Sequence, residues 1–122
     1  MKYSIDIPYK FPSLNEYTNA CRSNRYAGAK MKKEAEEAVM WCLLNTPPIH
    51  KKVKLHFYWK EQNRKRDLDN IAFAKKFIQD ALVKAGVLVN GDGWKSIVGF
   101  TDEFFLVHGQ AGVTVVIEEM ED

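Results

Sequence analysis

The 122-residue chain reads as an α+β fold, a small mixed β-sheet of about four strands with two helices packed on it. Three observations predict it. Val53, Leu55, Phe57 and Trp59 alternate with polar neighbours, the period of a strand buried on one face. Residues 29–45 and 70–85 instead place apolar side chains every three or four positions, as amphipathic helices do. Two further strand-like runs close the chain on either side of a glycine-bearing turn. The expected order is β-α-β-α-β-β, in a single domain spanning residues 1–122, because a chain of this length builds one core.

Taken in order, Tyr3, Ile5 and Ile7 alternate within a first strand that Pro8 closes. Pro12, Ser13 and Asn15 mark a loop, and the basic, polar stretch from there to Gly28 reads as irregular. The first helix presents Met31, Ala35, Ala38, Val39, Cys42 and Leu43 on one side, and Pro47 and Pro48 end it. The strand at 53–59 offers Lys52, Lys54, His56, Tyr58 and Lys60 on its polar face. A second helix starts near Asn70, a favourable N-cap residue, and buries Ile71, Ala74, Phe77, Ile78, Ala81, Leu82 and Ala85. Gly86 stops it. Asn90-Gly91-Asp92-Gly93 forms a turn, and residues 95–107 and 112–119 are two strands joined as a hairpin through Gly109–Gly112.

Composition excludes some classes. With 46% hydrophobic and 28% charged residues, the chain is an ordinary globular protein, not a disordered or membrane-spanning one. Its net charge of +2 argues against a globally basic nucleic-acid coat. The charge is segregated, however. Lys60, Arg64, Lys65 and Arg66 form one basic cluster, and Arg22, Arg25, Lys30, Lys32 and Lys33 form another. That distribution suits a local polyanion site, with a solvated charged loop as the plain alternative. Cys21 and Cys42 match no metal or redox spacing and read as reduced thiols of a cytosolic protein. No secretory signal or membrane-length apolar run is present, so a cytoplasmic location without a membrane partner is expected. His50, His56 and His108 are scattered without a ligand motif, which leaves zinc chemistry unsupported; His56 reads as a surface residue of its strand.

The chemistry concentrates in residues 64–70, Arg-Lys-Arg-Asp-Leu-Asp-Asn. In an extended chain Asp67 and Asp69 project from the same face, with Leu68 turned into the core. Two neighbouring carboxylates repel each other, and a Mg²⁺ ion relieves that repulsion. Asp92, in the glycine-rich turn, is the candidate third ligand if that loop doubles back along the second helix. Asp80 and Asp102 are weaker candidates, Asp80 mainly as an ion-pair partner. Lys76 follows Asp69 by seven residues, nearly two turns of a continuous helix, and so shares its side; Lys75 points about 100° away, toward solvent or DNA. An i,i+4 pair with Asp80 is the plain reading of Lys76.

Arg66-Asp67-Leu68-Asp69-Asn70, then Gln79-Asp80-Ala81-Leu82, Ala85-Gly86-Val87 and Asn90-Gly91-Asp92 together resemble the RusA family of Holliday junction resolvases. Pro12-Ser13-Leu14-Asn15 before Tyr17 resembles that family's opening motif, so the similarity spans nearly the whole chain. The resemblance implies a homodimeric, Mg²⁺-dependent endodeoxyribonuclease, often phage- or prophage-borne, that makes paired symmetrical nicks in four-way junction DNA during recombination and repair. Mn²⁺ is expected to substitute for Mg²⁺, and no organic cofactor is implied. Asp67, Asp69 and Asp92 match the family's catalytic, metal-binding aspartates. Two departures matter. About one extra helical turn separates Asn70 from Asp80, so the family's helical lysine falls on Lys76 or its rival Lys75, with Lys76 preferred on the face argument. Gly91 stands where some members have a second acid, so Asp92 aligns with either position.

The expected division of labour follows. The three aspartates hold metal, Lys76 offsets charge near the phosphate, and Arg64, Lys65 and Arg66 hold the DNA backbone with Arg22, Arg25, Asn15, Asn70 and Lys75. The product is a nick with 5′-phosphate and 3′-hydroxyl ends. Phe57, Tyr58, Trp59, Phe104 and Phe105 serve either the core or a subunit interface, and Trp94 could stack on an unpaired base. Two rival classes stand beside this reading. One is a non-catalytic nucleic-acid-binding protein whose aspartates cap a helix; the other is a metal-dependent nuclease that cuts flaps, forks or RNA.

Overall fold

The structure is a computed structural model that describes residues 1–121. Alternation in the sequence becomes a four-stranded mixed sheet. Strands β1 (Lys2–Ile7), β2 (Val53–Glu61), β3 (Ile97–Leu106) and β4 (Gly112–Glu119) lie in the order β1-β4-β2-β3. Strand β4 runs antiparallel to both β1 and β2, whereas β3 runs parallel to β2. Four helical segments complete the fold: α1 (Leu14–Ser23), α2 (Arg25–Trp41), α3 (Leu68–Ala72) and α4 (Lys75–Lys84). One core joins the inward rows of the sheet (Ile5, Ile7, Leu55, Phe57, Trp59, Val113, Val115, Ile117) to Val39, Ile71, Phe77, Ile78 and Leu82 of the helices. Burial of these side chains is the main stabilising term, at about 25 cal/mol per Å² of apolar surface removed from water.

The α+β class and the mixed four-stranded sheet match the sequence reading; the element order differs at three places. Residues 14–23 are helical, not irregular. Ser13 and Glu16 make a reciprocal capping box, Ser13 Oγ accepting the Glu16 N–H at 3.1 Å and Glu16 Oε1 accepting the Ser13 N–H at 3.2 Å. Tyr17 then wedges against Phe73 and Phe77, with ring centroids 5.5 and 5.3 Å away. The first long helix, expected at 29–45, starts at Arg25, where the Asn24 side chain accepts the Tyr26 N–H, and ends at Trp41.

The expected second helix is two. Phe73 and Ala74 separate α3 from α4, and the start moves from Asn70 back to Leu68 with Asp67 as N-cap residue. Its end agrees with the expected stop at Gly86, apart from Ala85, which is exposed. Gly86 takes φ 77°, its N–H bonds to Val83 O, and the Val87 N–H bonds to Leu82 O, a Schellman closure that favours glycine.

The third difference is topological. Strands β3 and β4 are not a hairpin, because β2 lies between them. The chain leaves β3 and passes the end of β2, where the Val107 N–H bonds to Glu61 O, before returning as β4. Gly112 at that return sits against the Ile7 carbonyl, where any Cβ would collide. Strand β3 is therefore a sheet edge, with Phe100, Phe105 and Leu106 about half exposed. Among the described residues no helix is long and apolar enough to cross a membrane.

Candidate functional site

The polar loop between β2 and α3 is tied down at its C-terminal end by an ion pair that strand alternation creates. Glu61 continues the inward phase of Phe57 and Trp59, so its carboxylate enters the core edge and needs a partner. Arg66 supplies it. Its Nε and Nη2 donate to Glu61 Oε1 and Oε2 at 2.9 and 2.8 Å, and its Nη1 donates to the Phe11 carbonyl at 2.8 Å. Glu16 lies 3.7 Å from the same guanidinium. Arg66, expected on the DNA surface, is thus a mostly buried internal strut. Asn70 acts similarly: its Oδ1 accepts the Asn15 N–H at 3.3 Å. These contacts draw Phe11–Tyr17 against Arg66–Asn70, and the bonded residues lie 55 positions apart in sequence.

The strut leaves two carboxylates free. Asp67 occupies the N-cap position of α3 yet makes no side-chain capping bond, and Asp69 accepts only the adjacent Asn70 N–H at 3.0 Å. Both are exposed, and neither has an ion-pair partner among the described residues. Leu68 between them is 57% exposed, not turned into the core, because the segment is the start of a helix and not an extended strand.

Asp92 behaves differently. It meets Lys76 Nζ at 3.3 Å, and Lys76 also reaches Asp80 at 2.9 Å, so the glycine turn returns to the start of α4 and not of α3. Burial raises the Asp80 carboxyl, but hydrogen bonds from Lys76 and Lys32 outweigh it and hold the pKa below the ordinary aspartate range. The hydrogen bond to Asp80 raises the Lys76 ammonium in turn, with Asp92 adding to the effect. Among the described residues no three His, Cys, Asp or Glu side chains gather to hold one ion. The expected convergence of Asp67, Asp69 and Asp92 is therefore absent as a closed cage. The face argument for Asp69 and Lys76 assumed one continuous helix, and Phe73 and Ala74 interrupt it between them.

Lys75 is not on the outer surface. Its Nζ pairs with Asp102 at 2.6 Å and lies 5.4 and 4.9 Å from the Phe57 and Phe100 ring centroids. Trp59 Nε1 donates to the same aspartate at 2.8 Å. This pin fastens α4 to the sheet, and the strand spacing of Asp102 inside an aromatic run was its only trace in the sequence. Replacing Lys75 by Met strands a half-buried carboxylate and is expected to cost about 1–2 kcal/mol. Lys76→Met, at a side chain 62% exposed, is expected to cost under about 1 kcal/mol. Urea melts of the two variants read the difference; equal losses would remove the structural role of Lys75.

Elsewhere the cations expected to hold DNA remain available. Arg64 and Lys65 are exposed without an acidic partner among the described residues, as is Arg22 on the last turn of α1. Arg25 is also exposed and lies over the Tyr26 ring, 4.9 Å from its centroid. Trp94 is 92% exposed. His56 lies on the face of β2 turned from the helices, its ring nitrogens 2.6 Å from Thr101 Oγ1 and 2.9 Å from Glu118 Oε1. Cys21 and Cys42 are free thiols. No protein-family model matches the chain, and no curated protein matches it.

Proposed function

We propose that the chain is a Mg²⁺-dependent, structure-selective endodeoxyribonuclease of the RusA type that acts as a homodimer on four-way DNA junctions. The observation that carries the proposal is the union of two distant sequence motifs. Phe11–Tyr17 packs on Arg66–Asn70 and leaves Asp67 and Asp69 exposed, without an ion-pair partner among the described residues. Exposed carboxylates without an ion-pair partner are what a ligand site requires.

The donor set suits an open magnesium site and not a cage made by protein alone. Mg²⁺ keeps much of its water and is commonly held by one or two carboxylates together with substrate phosphates. Asp67 and Asp69 would hold it, and when bound it would supply an activated water and neutralise phosphate charge. Arg64 and Lys65 grip the sugar-phosphate backbone on the same loop, giving affinity with little sequence reading. Lys76 stands as an exposed cation whose present partners, Asp80 and Asp92, keep it protonated. A two-fold dimer would set one site on each opposing strand of a nearly two-fold junction. The expected setting is the cytoplasm of a bacterium or phage-infected host.

The test compares junction, fork, flap, duplex and RNA substrates at equal concentration with Mg²⁺, Mn²⁺ or EDTA. Paired nicks in the junction that need metal and leave 5′-phosphate ends are expected. Preferential cutting of forks, flaps or RNA would reassign the substrate. Binding without any metal-dependent cutting would leave a non-catalytic nucleic-acid-binding protein.

A further inference from the structure

A cavity of about 740 Å³ opens between the loop after β2, the start of α3 and the end of β3. Its walls include Ile71, Phe104 and Leu106, and its polar lining includes Asn63, Arg64 and Asp67. The size lies within the range of about 300–1,000 Å³ usual for small-ligand sites. We propose that this cavity receives one unstacked nucleobase of the bound DNA, next to the phosphate that a metal ion at Asp67 and Asp69 would engage. The inference rests on the nuclease reading of the same site and deepens it.

Three features select a nucleotide as the occupant. An apolar, aromatic wall suits the flat face of any base. Asn63 spends its Oδ1 on the Lys65 N–H at 3.0 Å, which leaves its amide NH₂ free to donate to a base edge. Arg64 and neighbouring Lys65 are exposed cations without acidic partners among the described residues, placed to take the phosphate attached to that base. A purely apolar partner surface would instead bury Arg64 and Asp67 without compensation. Bases beside a junction crossover are the ones cheapest to unstack, since their stacking is already interrupted.

The test measures binding in EDTA, where nothing is cut, by anisotropy of a labelled junction carrying one abasic nucleotide at each position flanking the crossover. At one position the intact junction should bind at least about fivefold more tightly than its abasic counterpart, the lower range of base–aromatic stacking. Leu106→Trp, at an exposed strand-end residue of the cavity wall, should narrow the cavity, weaken the intact junction and shrink that difference. A circular dichroism spectrum checks that the variant folds, and Asn63→Ala supplies a second variant that adds no bulk. Equal affinity for intact and abasic junctions at every position, or no binding of either, overturns the proposal. So does a shift in sedimentation of Leu106→Trp with base discrimination unchanged, which would assign the cavity to a second copy of the chain. Retained discrimination without Mg²⁺-dependent nicking would instead sink the nuclease reading and leave the base site standing.

Discussion

Asp69→Asn should abolish Mg²⁺-dependent nicking, by roughly 10²-fold or more, the scale of losing one essential electrostatic stabiliser. Folding should be untouched. Asp69 is exposed and, among the described residues, its side chain accepts only the Asn70 N–H, which an asparagine Oδ1 also accepts. Asp67→Asn should behave alike, because Asp67 makes no capping bond to lose. Junction affinity in EDTA should persist or rise, since each change removes a negative charge from a phosphate-binding surface. Thermal melts, anisotropy and a nicking time course on the same preparations separate these outcomes. Unaltered nicking in both variants would take the two aspartates out of the chemistry. A large drop in melting temperature would make them structural.

Arg66→Ala should be the most damaging single change at the site, costing about 3 kcal/mol. The guanidinium is 15% exposed and Glu61 11%, so removal leaves an uncompensated carboxylate at the core edge. It also releases the Phe11 carbonyl and frees the loop that carries Asp67. Arg66→Lys should recover little, because an ammonium cannot match the paired donors of the guanidinium. Replacing both partners by apolar residues of similar size, Arg66→Met with Glu61→Leu, should restore much of the stability. Chemical denaturation reads all four proteins. An Arg66→Ala protein as stable as the parent, with only its DNA affinity reduced, would return Arg66 to the DNA surface.

The difference between what the sequence disclosed and what it hid has physical causes. The central strand was plain because Val53 to Trp59 alternate without interruption, and the end of α4 was plain because Gly86 sits where a left-handed residue is needed. Helix α1 was hidden by the polarity of its stretch: no residue of it is fully buried, so hydrophobic periodicity carries little signal. The Ser13–Glu16 capping box was the available clue. The split between α3 and α4 falls inside an unbroken apolar pattern, which looks the same for one helix or two. Strand order could not come from periodicity, since β3 and β4 would alternate equally well as a hairpin or on opposite sides of β2.

At the site, the acidic and basic residues were legible and their partners were not. Arg66 reads as a surface cation because it ends a basic run, and Lys75 because a continuous helix turns it about 100° away from Lys76. Their carboxylates, Glu61 and Asp102, reach them only through strand phase and the β2–β3 register. The loop that carries Asp92 returns along α4, where Asp92 meets Lys76, a contact that sequence spacing does not disclose. The aromatic wall supplied by Phe104 was invisible for the same reason: it needs β3 beside β2.

The most direct measurement is a crystal of the protein with a short junction oligonucleotide and Mn²⁺, read for anomalous scattering. A manganese peak bounded by the Asp67 and Asp69 carboxylates and a DNA phosphate is the predicted result. A peak placed elsewhere, or bound DNA with no metal between those two aspartates, would contradict the account.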